Sequence, residues 1–195
     1  ADNTAEIHVY DREEDGSGRS IEQILLDSRK VYAPGGSLFV ALKGPRRDGH
    51  QFIPELYRKG VKSFVISEPV EQASFPEATF LRVYDTLAAL QALVAHHRQQ
   101  FSIPVIGISG SNEKTIVKEW LYQLLHDDYH IIRSPKSYNS QIGVPLSVWP
   151  MNEQHTLGIF EAGISEQGEM LRLEKIIRPT IGVLTNIGEA HSDGF

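Results

Sequence analysis

The sequence has no cysteine, which excludes a disulfide framework and any chemistry that needs a thiolate nucleophile or a thiolate metal ligand. It has no long apolar run: the longest, Ile103 to Ile108, falls far short of the roughly 20 residues a membrane-spanning helix requires. It has no basic excess either. Lysine and arginine number 19 against 25 acidic residues, a formal charge of −6, so the electrostatic footprint of a nucleic-acid partner is missing. No internal repeat or low-complexity tract occurs. The stretch from Ala1 to Arg19 is polar, carries Asp11, Glu13, Glu14 and Asp15, and does not read as a signal peptide. What remains is an acidic globular chain of 195 residues with 41% hydrophobic residues, enough for one large domain or two small ones, and suited to the cytoplasm.

Apolar periodicity and breakers divide the chain. Short β-like runs occur at Ile21 to Leu26, Leu38 to Leu42, Phe64 to Ile66 and Thr79 to Val83, with helix-like pieces at Phe52 to Lys59 and Thr86 to Phe101. Residues 1–101 therefore form a first α/β unit, of which 1–20 are poorly specified. Residues 102–195 begin a second: strand Ile103 to Ile108, a Gly/Ser turn, and a helix Thr115 to His126 with Ile116, Val117, Trp120, Leu121, Leu124 and Leu125 as its apolar stripe. Strand Ile131 to Arg133, a polar loop, a helix opening near Pro145, strand Leu157 to Glu161, helix Gln167 to Ile177 and strand Ile181 to Thr185 follow. This alternation predicts a small α/β domain followed by an incomplete P-loop-type domain with a parallel sheet. His96 and His97, within a helix, read as surface residues.

The segment Ile106-Gly107-Ile108-Ser109-Gly110-Ser111-Asn112-Glu113-Lys114-Thr115 joins a buried-type strand to a helix N-terminus, where backbone amides and the helix dipole hold phosphate. Lys114 has the place of a lysine that reaches terminal phosphates, and Thr115 that of a hydroxyl ligand to Mg²⁺. The strict pattern fails, because Ile108 and Glu113 occupy the positions of its two glycines. Read from the residues alone, the segment fits either a nucleotide loop or a capped strand-to-helix turn with an exposed lysine.

Gly107 to Lys118 resembles the ATP loop of the Mur ligase family, with Gly110, Ser111, Asn112, Lys114 and Thr115 fitting the pattern, while Glu113 replaces a family glycine and Ile116 a small hydroxyl residue. Asp27-Ser28-Arg29, Phe39 to Gly44 and Asp48-Gly49-His50 resemble the domain of that family that holds the UDP-muramyl substrate. Asn139 to Pro145, Glu161-Ala162-Gly163 and Thr185 to His191 resemble successive strand ends of its central domain. The Val117-Lys118-Glu119 continuation resembles the branch that adds D-alanyl-D-alanine.

The resemblance implies an ATP-dependent amide ligase of peptidoglycan synthesis, joining D-alanyl-D-alanine to a UDP-N-acetylmuramoyl tripeptide through an acyl phosphate. Lys114 is implied on the β- and γ-phosphates, with Gly110, Ser111, Asn112, Glu113 and Thr115 around the nucleotide. Thr115 and Glu161 are implied on one Mg²⁺, and His191 near a second metal; taken singly, Glu161 reads rather as a solvated strand-end carboxylate and His191 as a loop histidine. In the first unit the candidates for the UDP-muramyl substrate are Ser28, Arg29, Lys43, Asp48 and His50. Asn139 and Ser140 are candidates for its muramyl or peptide groups, or are ordinary loop residues. The family's modified lysine and amine-binding domain are expected beyond Phe195, so the fragment alone is expected not to complete the ligation. In some bacteria the resembling ligase is fused to an alanine racemase, on which no residue here bears. Two other readings stay open: a non-catalytic UDP-sugar module with a decayed ATP loop, motivated by Glu113 and Ile116, and a folylpolyglutamate-type ligase.

Overall fold

The computed structural model describes residues 8–10, 20–45, 47–163 and 168–188. By packing, the chain divides into Ala1–Leu90 and Gln91–Phe195. The sequence places the division after residue 101, at the end of a helix; packing places it inside that helix, α2 (Thr86–Gln99).

The first unit is a five-stranded sheet of β1 (His8–Tyr10), β2 (Gln23–Leu25), β3 (Ser37–Val40), β4 (Ser63–Ile66) and β5 (Thr79–Arg82), in the order β1-β5-β4-β3-β2. Strands β2 to β5 are mutually parallel, and β1 lies antiparallel on β5. The central strand β4 is buried along its whole length, as a parallel strand covered on both faces must be, and β3 beside it is buried at three of its four positions. Phe64 stacks on Phe80 with ring centroids 5.2 Å apart and meets Phe39 edge-on at 6.3 Å. Ile53 and Leu56 of α1 (Ile53–Arg58) close this aromatic core. The helix ends at Gly60, whose φ of 96° lets the chain turn back into β4.

The second unit is a four-stranded parallel sheet of β6 (Val105–Ser109), β7 (Ile131–Arg133), β8 (Leu157–Glu161) and β9 (Ile181–Leu184), in the order β7-β8-β6-β9. Three helices join them: α3 (Lys114–Leu125), α4 (Gly143–Val148) and α5 (Glu169–Ile177). The chain runs from β6 past β8 to the outer β7, returns to β8, then crosses to β9 on the other side. Connections from β6 and β8 thus leave a crevice beyond the strands' C-terminal ends, the usual ligand position in such sheets. Among the described residues no helix is long and apolar enough to cross a membrane.

Two expectations about side chains are corrected. The apolar stripe of α3 is split: Val117, Leu121 and Leu125 pack on the sheet, whereas Ile116, Trp120 and Leu124 are exposed. A helix presents one sector to a flat sheet, and residues 116, 120 and 124 lie outside it. His97 is not a surface residue; its Nε2 lies 2.8 Å from the Met151 carbonyl oxygen and its ring packs on Trp149 and Phe101.

Arg98, one residue further along α2, is only 4% exposed and serves as a clamp. It donates to the carbonyls of Ile177, Phe101 and Arg178 at 2.9, 2.6 and 3.3 Å, so a delocalised cation satisfies the carbonyls at the C-terminal end of α5. Arg98→Met keeps much of the stem and strands these acceptors. It is expected to lower unfolding stability by about 3 kcal/mol, since unsatisfied buried acceptors cost about 1–3 kcal/mol each. Urea denaturation checks this, and an unchanged midpoint would show that water replaces the guanidinium.

Candidate functional site

The crevice of the second unit is built from the ends of β6 and β8. Gly110 leaves β6 at φ 134°, and a Cβ there would sit 2.1 Å from Thr185 Oγ1 and 2.9 Å from the Asn186 carbonyl oxygen. Only glycine lets the loop approach the segment after β9 so closely. That segment laces the loop down. The Ser111 and Asn112 amides donate to the backbone and side-chain oxygens of Asn186, both at 3.0 Å; Thr185 Oγ1 donates to the Asn112 carbonyl at 2.6 Å, and the Gly188 amide donates to Ser111 Oγ at 2.9 Å. The Lys114 ammonium folds back onto the Gly110 carbonyl at 2.5 Å. Glu113 caps α3 with φ 66° and ψ 1°, a left-handed conformation suited to glycine, and its side chain is exposed.

Thr115, in the first turn of α3, reaches Glu161, the last residue of β8. Thr115 Oγ1 donates to Glu161 Oε2 at 3.1 Å and lies 3.1 Å from Ser137 Oγ. Glu161 is fully buried, and its own amide donates to Ser134 Oγ. Its Oε1 lies 2.8 Å from Lys118 Nζ, out of hydrogen-bond alignment, and takes no hydrogen bond among the described residues. Lys118, also without exposure, donates to the Lys136 carbonyl and lies 3.5 Å from Glu119. Glu119 pairs with Arg133, whose guanidinium covers the Tyr122 ring at 3.8 Å. Burial works to raise the Glu119 carboxyl, but Arg133 and Lys118 outweigh it and hold it below its usual value.

Asn139 and Ser140 lie in the loop after β7. The Asn139 carbonyl accepts the Gly163 amide at 2.7 Å, which brings Asn139 beside the end of β8. Ser140, an exposed residue, accepts the Gly143 amide at 3.0 Å through its hydroxyl, tying down the start of α4. His191 lies outside the described residues.

In the first unit a cavity of about 210 Å³ opens at the C-terminal ends of β2 and β3, lined by Asp27, Ser28, Gly44, Arg47, Gly49 and Phe52 among others. Gly49 is required there: a Cβ would lie 2.9 Å from Ala41 Cα and from the Leu42 amide nitrogen. The sequence candidates divide around this cavity. Ser28 lines it, and its carbonyl accepts from Lys59. Arg29 is largely exposed and forks onto Asp27; that hydrogen bond holds the Asp27 carboxyl well below the usual range. Lys43 pairs with Glu68 at 2.6 Å, which raises its ammonium.

Asp48 and His50 form a clamp. Asp48 Oδ1 accepts the His50 amide at 2.9 Å and lies 2.6 Å from His50 Nδ1, and both contacts pull the Asp48 carboxyl down. His50 Nε2 accepts the Ser67 and Glu68 amides at 3.0 and 3.2 Å. With Nδ1 protonated toward Asp48, both ring nitrogens are engaged inside the fold.

Sequence reading gave no individual role to Lys118, Ser137, Asn186 and Arg47, although Lys118 and Asn186 lie in segments it quotes. Lys118 had a signal, since a helix places it in the sector of Val117, Leu121 and Leu125, where a lysine is anomalous. Ser137 and Asn186 had none beyond their strand-end positions.

Residues 108–195 match the model of the Mur ligase middle domain, and residues 20–98 that of the Mur ligase family, catalytic domain. The UDP-N-acetylmuramoyl-tripeptide–D-alanyl-D-alanine ligase of Synechocystis sp. is 39% identical over 88% of this chain, and that of Bacillus subtilis 36% over 88%. The chain spans 37% of the length of each. Among solved structures, MurF of Acinetobacter baumannii superimposes with a TM-score of 0.81 at 33% identity, covering 88% of this chain and 37% of that one. MurF of Thermotoga maritima in complex with ADP does so with a TM-score of 0.77 at 31% identity, covering 87% and 38%. By these matches, which take in nearly all of residues 20–195, the chain belongs to the Mur ligase family and carries its N-terminal and middle domains.

Proposed function

We propose that this chain supplies the nucleotide-sugar and ATP sites of an ATP-dependent peptide ligase that joins D-alanyl-D-alanine to a UDP-N-acetylmuramoyl tripeptide. The observation that carries it is the meeting of Thr115 with the buried Glu161 beside a phosphate-type loop, at the C-terminal ends of adjacent parallel strands. The names of the relatives supply the substrate class.

In this reading the substrate carboxylate takes the γ-phosphoryl group of ATP, and the amine then displaces phosphate to leave an amide. Lys114 exchanges the Gly110 carbonyl for the β- and γ-phosphates, and the Ser111 and Asn112 amides lie in the same loop. The residues fit Mg²⁺. Thr115 Oγ1 and Glu161 Oε2 are hard oxygen donors 3.1 Å apart. Neighbouring ligands of an octahedral ion at about 2.05 Å stand about 2.9 Å from each other. Bound there, Mg²⁺ would neutralise the charge that develops on the transferring phosphoryl group. Asn139, beside Gly163, faces the same strand end and is assigned to the muramyl peptide.

In the first unit, Ser28, Gly44, Gly49 and Arg47 are assigned to the UDP moiety, with Arg47, 4.8 Å above the Phe52 ring, as a cation in the cavity lining. Asp48 and His50 are assigned to holding the cavity wall rather than to touching the ligand. Because the chain spans 37% of the length of these relatives, the full ligation cycle is not assigned to these residues alone.

Calorimetry tests the reading: UDP-N-acetylmuramoyl tripeptide is expected to bind without ATP. A folded sample that shows no binding at millimolar ligand would refute the assignment of the first unit. One observation favours a second reading, a UDP-sugar-binding module with a decayed ATP site: Glu113 stands in a left-handed position at the phosphate loop. Substrate binding with no ATP binding, even after Glu113→Gly, would select it.

A further inference from the structure

Lys118 is a fully buried ammonium that the phosphate loop does not use. It belongs to α3, on the side of the helix that faces the sheet, and its Nζ lies 2.8 Å from Glu161 Oε1, while Oε2 of the same carboxylate faces Thr115. The two oxygens are thus divided between a lysine and a hydroxyl. The same ammonium donates to the Lys136 carbonyl, at a residue held at φ 52°, one position before the Ser137 hydroxyl that faces Thr115. Lys118 therefore ties together the helix after the phosphate loop, the end of β8 and the loop after β7.

The charges balance without any ligand. Glu161 is matched by Lys118 and Glu119 by Arg133, and on the loop the charges of Glu113 and Lys114 are opposite. A divalent cation taken up from water must lose hydration, and one carboxylate already paired with an ammonium offers little in return. A triphosphate brings several negative charges of its own and reverses this balance.

We propose that Lys118 is a positioning residue that neutralises Glu161 before nucleotide arrives, so that the Thr115–Glu161 pair takes a divalent ion only together with nucleotide phosphates. The inference rests on the proposed ATP site and adds to it an order of binding, metal with nucleotide rather than metal first. It gives Lys118 no contact with the reacting atoms.

Mn²⁺ titration of the 195-residue chain, followed by electron paramagnetic resonance, reads this without any turnover. The unaltered chain is expected to bind no Mn²⁺ specifically in the absence of nucleotide. Lys118→Met keeps the length of the side chain and removes its charge. It is expected to lower the unfolding temperature and to gain Mn²⁺ affinity of about tenfold or more, with added Mn²⁺ restoring the lost stability. Adding Glu161→Gln to that variant is expected to abolish the gain, which a purely structural role for Lys118 would not produce.

Tight Mn²⁺ binding by the unaltered chain without nucleotide overturns the proposal, and so does a folded Lys118→Met with no gain. Should Lys118→Met fail to fold in buffer, refolding it with Mn²⁺ decides: recovery supports the proposal, and no recovery overturns it. Titration of Glu113→Gly with Mn²⁺ and ATP separates the two readings. A gain in Lys118→Met alongside no ATP binding to Glu113→Gly supports the pairing of Lys118 with Glu161 and overturns the ATP site.

Discussion

Replacing Glu113 by glycine is expected to raise Mg-ATP affinity at least about tenfold while UDP binding is unchanged. Glu113 sits at φ 66° and ψ 1°, a conformation that costs an L-residue roughly 1–2 kcal/mol and glycine almost nothing. The strain is present with or without nucleotide, so its relief shows mainly as stability. The change in affinity comes from charge. At about 5 Å and an effective dielectric of about 20, a carboxylate and one phosphate charge repel by about 3 kcal/mol. The side chain is exposed and can rotate away, and solvent screens the pair, which removes part of that figure. What survives is still at least the 1.4 kcal/mol of a tenfold change. Titration of both proteins with Mg-ATP, on samples shown to be folded, checks the prediction. Equal affinities would show that the loop accommodates Glu113 and that the decayed-site reading should be dropped. A change in UDP binding would show instead that the substitution acts through the whole fold.

Glu113 also illustrates which features were readable from the sequence. The mismatch at position 113 is visible in the string, and so is its consequence for phosphates, because the demand for glycine is local. The same holds for β2 to β9 and the helices between them, whose apolar runs and breakers place each element to within a few residues. Strand β1 was not legible. Its three residues are specified by pairing with β5, some seventy positions away, and not by any pattern of their own. Lys118 was quoted only as part of a family-like string, although its position on the sheet-facing sector of α3 already marked it as a buried charge in need of a partner. That the partner is Glu161 depends on β8 lying next to β6, which is a matter of topology.

The first unit shows a different case. Asp48 and His50 have the residue types and the glycine-rich setting of a ligand loop, and sequence reading assigned them to substrate. Their atoms are committed elsewhere, to one another and to the amides of Ser67 and Glu68. A histidine with two satisfied ring nitrogens and one with two free ones have the same letter, and only the register of β4 against the loop distinguishes them. Arg47, unremarked in the sequence, lines the cavity that Arg29 does not.

Gly110→Ala is expected to cause the largest loss of all substitutions in the nucleotide loop. Two independent effects act on it. The φ of 134° lies where an L-residue is strained in any surroundings, and the new methyl carbon would fall 2.1 Å from Thr185 Oγ1 and 2.9 Å from the Asn186 carbonyl oxygen. A hydroxyl rotates at little cost, so the first clash can be relieved; the second is with backbone and cannot be relieved without moving the strand end. The movement separates exactly those atoms that hold the loop, since Asn186 accepts the Ser111 and Asn112 amides through its carbonyl and side-chain oxygens. Losing two such bonds at about 1 kcal/mol each, on top of about 1–3 kcal/mol of backbone strain, places the effect at about 3–5 kcal/mol. In the Glu113→Gly background, where ATP binding is expected to be measurable, Gly110→Ala should weaken Mg-ATP affinity at least about a hundredfold, the equivalent of roughly 2.7 kcal/mol. UDP binding by the first unit serves as the control for folding. Mg-ATP affinity within a factor of about three of the Glu113→Gly parent, with UDP binding intact, would show that the lacing by Asn186 is dispensable and that the loop holds its shape from the β6 and α3 side alone.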